Sequence, residues 1–449
     1  MTVATQKPLS RREDLESLMR WFPDVPPEVI VKEDLLTHGV RFTEEALRAG
    51  EQHQAPIVGT FLWERIRPDE IEKKVGGHRR LPKHIELHGG RYALRGRVRV
   101  QVRINPASPY VVDLYEDSTL WLCEEEENGH RAQLAELHPY HPLPSYFFKR
   151  LPDGTPFTAI SPGYGWFDLF HQCQYASPQT ECKFCDINAT ARVSKGRGIL
   201  TGGAAGAIKK LQHVVDTAEE QCLREQYPPE SCYRPRYIHL SGGAIVTKLM
   251  GKTEVEFYRE YVAAIIERIG RRWPMYLASH PYPSEVAKRL RDDGVDIHAP
   301  NIEVWDKRLF EIICPGKAKT VGRDEWIRRV IEEVKVFGEG RVCPGFVNGV
   351  ELVQPWGFNS IDEALKSNYE GMNFLMSHGV VPRVNHWCPQ AGSLLAGQPG
   401  PPTEYYIRND INWYELWKKW RLPPPYGGLR FMGPGRNEYP VGAAEDMGS

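Results

Sequence analysis

Apolar and polar residues recur at two different periods along the chain, and the change of period divides it. At 91–104, "RYALRGRVRVQVRI" puts apolar residues at alternate positions with basic residues between them, and "YVVDLYEDSTLWLC" at 110–123 follows the turn signal "NPASP". Period two marks strands with one buried face, so each stretch predicts a strand. Ahead of them, "SRREDLESLMRWF" and "TEEALRAGEQH" predict helices of polar character, broken by the prolines of "FPDVPPE". Residues 1–150 therefore predict an N-terminal α+β accessory domain.

From about 155 to 390 the rhythm becomes strand, loop, helix, repeated. Strands are expected at "YIHL" (237–240), "MYLAS" (275–279), "VDIHAPNIEV" (295–304), "RVCPGFVNGVEL" (341–352) and "VVPRVNHW" (380–387), with a first one near "FTAISPGYGWFDLF". Between them lie helical patterns such as "TEVEFYREYVAAIIERI", "SEVAKRLRDDG" and "DEWIRRVIEEVKVFG", several stopped by glycine. Helices alternating with short strands mean βαβ units and a parallel sheet. Periodicity leaves a doubly wound sheet and a complete or partial barrel both open. Residues 396–449 read as a C-terminal extension in which "DINWYELWKKW" packs against the strand–helix part.

Composition narrows the class. The chain has 449 residues, 41% hydrophobic and 26% charged, as an ordinary globular protein has. Its 57 Lys+Arg and 58 Asp+Glu nearly cancel, so there is no global positive field for nucleic acid, and a small-molecule substrate is the simpler expectation. Apolar runs such as "YVAAII" are too short to span a bilayer, and "MTVATQKPLSRREDLE" has no apolar signal region. The expected location is cytoplasmic, away from membranes. Nine cysteines, scattered except for one cluster, suit a metal or cluster site better than a disulfide framework.

That cluster is "HQCQYASPQTECKFCDIN", with Cys173, Cys182 and Cys185 spaced C-x8-C-x2-C. A structural zinc site on a non-catalytic binding or scaffold barrel is one reading, but it wants a fourth ligand, and His171 is too near Cys173 to serve without strain. Three thiolates on a cubane cluster leave one iron open, which is the other reading.

The stretch resembles the radical S-adenosylmethionine superfamily, whose C-x3-C-x2-C motif carries an aromatic residue where Phe184 precedes Cys185. Here the first gap is eight residues, not three. The resemblance implies a partial (β/α)6 TIM-like parallel barrel over 151–395, akin to that of biotin synthase, a [4Fe–4S] cluster on the three cysteines and S-adenosyl-L-methionine on the open iron. It implies further that Gly242-Gly243-Ala244, where the family commonly has Gly-Gly-Glu, approaches the methionine amino group. By the same likeness Asn301 and Glu303 meet the ribose and Val347 the adenine, while Glu351 ends a shortened Gly-x-Ile-x-Gly-x-x-Glu motif. A reductant such as flavodoxin or ferredoxin is the implied protein partner. "PGKA" at 315–318 shares the family's cadence.

The remaining candidates are plainer. Cys314, Cys343 and Cys388 read as small buried hydrophobes rather than a second cluster, and Cys222 and Cys232 as structural. His280, Tyr282, His298, Arg383, Asn385 and His386 fall at strand ends where a substrate would lie. The basic stretch "KKVGGHRRLPKH" at 73–84 reads as a solvated loop.

Overall fold

The computed structural model describes residues 15–49, 84–126, 129–138, 165–196, 210–224, 237–390 and 392–423, with a few short stretches between them. Cys232, most of the basic stretch 73–84 and everything beyond 423 lie outside the described residues.

The first part of the chain builds a six-stranded sheet. Its strands are β1 (Arg41–Phe42), β4 (His84–Gly89), β5 (Leu94–Gln101), β6 (Tyr110–Leu114), β7 (Leu120–Glu125) and β8 (Arg131–Leu137); β2 (Ala55–Pro56) and β3 (Arg80–Leu81) pair separately. The order is β1-β6-β7-β8-β4-β5, antiparallel except for the β1–β6 edge. The stretch 110–123, expected as one strand, is a hairpin. Tyr115 donates to Thr119 O at 2.9 Å, Asp117 Oδ1 accepts from the Thr119 amide at 3.0 Å, and Ser118 takes a φ of 66°. The polar "YEDST" is thus a turn, as short Asp and Ser side chains favour.

Between the two stretches expected as polar helices lies a further helix, and it is buried. The helix Pro27–His38 carries Glu28, Lys32, Glu33 and Asp34, yet all four are buried. It packs against β5, against the C-terminal helix Thr403–Trp420 and against the last parallel strand. Its charges are matched there: Asp34 accepts from Thr403 Oγ1 at 2.6 Å and from Tyr110 Oη, and Glu33 bonds His386 at 2.6 Å. A charged sequence is tolerated inside because partners replace water.

Six parallel strands follow in chain order: β9 (Trp166–Phe170), β10 (Ile238–Gly242), β11 (Met275–Leu277), β12 (Ile297–His298), β13 (Gly345–Asn348) and β14 (Arg383–His386). β9 to β12 are bonded in succession and β13 is bonded to β14. Bridges between His298 and Val342, and between Glu303 and Phe346, join the two groups. This is the α/β layout that the alternation predicts. Among the described residues no bonded pair links β9 to β14, so the row of strands is open-ended.

The helices between the strands form for local reasons. Glu254–Ile269 opens with a capping box between Thr253 and Glu256 and stops at Gly270, with φ 70°. Its Phe257, Tyr258, Tyr261, Val262, Ile265 and Ile269 recur at three- and four-residue steps and enter the main core with Ile238, Leu240, Met275 and Leu277 of the sheet. Val262 and Ile265 are fully buried, worth roughly 1.5–3 kcal/mol each, so truncating Ile265 would loosen this helix most directly. The helix Thr403–Trp420 starts well ahead of "DINWYELWKKW"; Trp413 Nε1 donates to Pro382 O at 2.7 Å, and Ile407 enters the core of the N-terminal part. No helix among the described residues is long and apolar enough to cross a membrane.

Candidate metal centre and cofactor cradle

β9 ends at Phe170, and the loop it feeds carries Cys173, Cys182 and Cys185 into the helix Ile187–Gly196. The eight residues between the first two cysteines form a turn of their own, in which Ser177 O accepts from Thr180 and Glu181 at 2.9 and 2.8 Å. Cys182 O then accepts from the Cys185 amide at 3.0 Å, which closes the C-x-x-C into one tight turn. The wide spacing is therefore an ordered excursion. Other elements pin it: Gln174 donates to Ala244 O (2.9 Å), Cys173 to Asn188 Oδ1 (3.0 Å), Lys183 to Ile313 O (2.9 Å) and Leu395 to Lys183 O (3.2 Å).

All three thiols are half-buried and free of disulfides. Burial pushes Cys173 up to about 11, with the charge of Cys182 adding to it. Burial raises Cys185 as well, helped by Asp186, Cys182 and Cys173. Cys182 goes the other way: a hydrogen bond with Cys314 holds it below the ordinary thiol range, against burial and with help from Lys317. The three thus feel one another's charge, which a cationic core bound between them would compensate. No three His, Cys, Asp or Glu side chains among the described residues converge as one metal ion needs. A closed zinc site wants a fourth protein ligand; three thiolates are the set that leaves one iron of a cubane cluster open. The donor set fits an iron–sulfur cluster.

The glycine pair at the end of β10 packs against the cysteine loop. Gly243 donates to Phe170 O at 2.8 Å, and a Cβ on it would lie 1.9 Å from Gln172 O and 2.6 Å from Cys173 Cα. The close approach that demands glycine is made by the cysteine loop itself. Gly242 is packed against Phe170, and Ala244 offers the carbonyl that anchors Gln174.

Asn301 and Glu303 lie just past β12. Asn301 Oδ1 accepts from the Gly345 amide at 2.8 Å and so ties this segment to β13. Glu303 is buried with a φ of 71°, a left-handed conformation that a non-glycine residue adopts only when its surroundings enforce it. Its amide donates to Gly345 O (2.9 Å), its carbonyl accepts from Val347 (2.8 Å), and its carboxylate meets Lys317 Nζ at 2.7 Å. Lys317 also donates to Asn301 O at 2.9 Å and lies 4.7 Å from the Trp326 ring centroid. Burial alone would depress this ammonium; Glu303, Cys182 and Cys314 hold it above its ordinary range.

Val347, Phe184 and Cys182 all border one apolar cluster with Leu309, Phe310, Ile313, Cys314 and Val350, which brings the cysteine loop and β13 onto the same core. Glu351 stands apart. Almost fully buried, it accepts from Asn368 (2.7 Å), from the Gly349 amide (2.9 Å) and from Tyr405 Oη, and burial raises it above the usual carboxylate range. Its oxygens are committed to joining β13 to the two last helices.

The strand-end histidines are each locked to a carboxylate. His280 bonds Glu254 (2.8 Å) and Tyr175 Oη (3.0 Å); Tyr282 Oη donates to the same Glu254 at 2.6 Å. Burial would raise Glu254, but the charge and hydrogen bond of His280, with Tyr282, hold it below its ordinary value. His298 turns to Glu333 of the helix layer at 2.7 Å, and His171 pairs with Asp168. His386 faces Glu33 and stacks on Tyr406 at 3.5 Å. Arg383 lies over Tyr276, and Asn385 faces Gly345.

Three participants escape a sequence reading. Cys314 is not an isolated buried thiol but a neighbour of Cys182; Lys317 and Tyr175 link the cysteine loop to the Glu303 and Glu254 networks. The only signal for the first two was the "PGKA" cadence.

No protein-family model matches the chain. Among curated proteins it is similar to bacteriochlorophyllide c C-7(1)-hydroxylase of Chlorobaculum limnaeum, 20% identical over 257 residues, or 56% of this chain and 59% of that protein. The likeness is to the radical S-adenosylmethionine superfamily. Solved structures overlap loosely: the FeFe-hydrogenase maturase HydG from Carboxydothermus hydrogenoformans has a TM-score of 0.40 at 14% identity, covering 59% of this chain and 55% of its own. A radical SAM methyltransferase from Sphaerobacter thermophilus has a TM-score of 0.35 at 14% identity, covering 69% and 76%. The chain spans about three fifths of the length of its curated relative. Members of the superfamily use a [4Fe–4S] cluster and S-adenosylmethionine.

Proposed function

We propose that the chain is a radical S-adenosylmethionine enzyme acting on a small-molecule substrate, with the parts drawn at 1–150, 151–395 and 396–449 and a partial barrel as the catalytic part. The single observation that supports it most is the set of three free thiols on an ordered loop at the end of the first parallel strand, clamped by the Gly242-Gly243 backbone. When bound there, a cluster with one open iron supplies an electron to S-adenosylmethionine, splitting it into methionine and a 5′-deoxyadenosyl radical that takes hydrogen from the substrate.

The rest falls to the protein's own side chains. Cys173, Cys182 and Cys185 hold the cluster. Phe184 shields it, Gly242, Gly243 and Ala244 present backbone to the methionine end, and Val347 offers the apolar wall for adenine. Asn301 and Glu303 sit beside the ribose; in this reading Lys317 fixes the Glu303 carboxylate so that it accepts from a hydroxyl without turning. Glu351 shapes β13 from behind. A flavodoxin or ferredoxin supplies the electron in the cytoplasm.

The test is anaerobic. The full chain is reconstituted with iron and sulfide, given S-adenosylmethionine and dithionite, and assayed for 5′-deoxyadenosine beside Cys182→Ala. Product from the parent chain that vanishes in the variant supports the reading. A colourless protein that retains zinc and yields no product defeats it.

A further inference from the structure

The turn that carries Cys182 is bonded to a second segment. Lys183 donates to Ile313 O at 2.9 Å, and Gly316 donates to Thr180 O at 3.0 Å. Lys183 follows Cys182 and Ile313 precedes Cys314, so the first bond lays the Cys182 and Cys314 backbones side by side. A disulfide needs Cα atoms roughly 4.4–6.8 Å apart, a span open to residues whose neighbours share a backbone hydrogen bond. The approach is built in: a Cβ on Gly316 would lie 2.3 Å from Thr180 O and 2.4 Å from the Tyr175 ring, so only glycine lets the two segments meet. Cys314 is wholly buried in the apolar cluster that Cys182 borders.

We propose that, in the chain without its iron, Cys182 and Cys314 form a disulfide, making Cys314 a modification site that withdraws one ligand from cluster assembly under oxidation. The withdrawal of a ligand rests on the reading of Cys182 given above. The oxidant is a low-molecular-weight disulfide such as oxidised glutathione. One protein sulfur attacks it and expels a thiol; the second sulfur then attacks the mixed disulfide and expels the other. One S–S bond breaks, one forms, the two protein thiols lose two electrons in all, and their two protons leave on the two small thiols. The pairing reverses with excess reductant.

The full-length chain, stripped of metal under argon, is incubated with oxidised glutathione, alkylated, digested without reduction and mapped by mass spectrometry. The expected result is a 182–314 link, with iron uptake on later reconstitution slowed at least tenfold until dithiothreitol is added. Cys314→Ala, checked for its fold by circular dichroism, should take up iron normally after the same treatment. A dominant 173–182 or 182–185 link, or Cys182 and Cys314 both still open to alkylation, overturns the proposal. Failure of the cofactor reading looks different: the parent chain forms the 182–314 link yet assembles no cluster under any condition, which keeps the disulfide and removes its role in assembly.

Discussion

Replacing Gly243 with alanine perturbs the site through one methyl group. The new Cβ would stand 1.9 Å from Gln172 O, where ordinary contact begins at 3.4 Å, so the two backbones must part by about 1.5 Å. Gln172 immediately precedes Cys173, and metal–ligand distances tolerate only about 0.2 Å of error. The displacement exceeds that tolerance several-fold. Overpacking of this kind costs about 1–3 kcal/mol in stability, but its larger effect should fall on the loop. The assay is iron bound per chain after anaerobic reconstitution, alongside thermal unfolding of the metal-free protein. G243A should lose most of its iron and unfold a few degrees earlier. G242A is the internal control, because its Cβ would meet Phe170 no closer than 3.0 Å and a small adjustment suffices. If G243A binds iron like the parent, the glycine is not what sets the cysteine loop, and the clamp argued here is wrong.

Lys317→Met leaves the Glu303 carboxylate buried without its cation, which should cost about 3–5 kcal/mol in urea denaturation, with Glu303→Met added to the same chain restoring much of it. Glu254 has its folded-state value below its ordinary 4.5, so its stabilisation is full above that value and lost as pH falls through the lower one. Glu254→Gln should therefore be less stable than the parent at pH 7, with the gap shrinking on acidification; a gap independent of pH would refute the linkage. Glu33→Ala strands the buried His386 ring and should cost about 1–3 kcal/mol in the same denaturation, while Glu33→Gln recovers part of it.

Strand and helix positions in the parallel half were readable because the helices bury an apolar stripe, several stop at glycine, and short strands fall between them. β10, β11, β13 and β14 fall inside or within two residues of the stretches expected for them. β12 did not reach its expected length: it ends at His298, and beyond it Asn301 and Glu303, the latter at a φ of 71°, bond Gly345, a tertiary demand that no local pattern announces. The three cysteines and the glycine pair were visible as spacing, and the chemistry of both is local. Cys314 was not, because its neighbour Cys182 lies more than a hundred positions away along the chain, nor was Lys317, whose partners Asn301 and Glu303 lie 16 and 14 positions back across a helix. Nor was the buried charge of the Pro27–His38 helix, since a "VKEDLL" run has the same composition whether water or His386 and Thr403 receive it.

That buried helix also sets an order of events during synthesis. Glu33 and His386 are 353 positions apart, and Asp34 and Thr403 are 369 apart. At about 5–20 residues per second, roughly 20–70 s separate the emergence of the helix from that of its partners. For that interval three consecutive charges, Lys32 to Asp34, and the apolar face beside them wait without the strand and helix that bury them. Contacts of such long sequence separation form late and slowly. The nascent chain is thus committed to a prolonged stage in which the earlier-made of the two partners is the one still exposed, and where a holdase chaperone would have the most to grip.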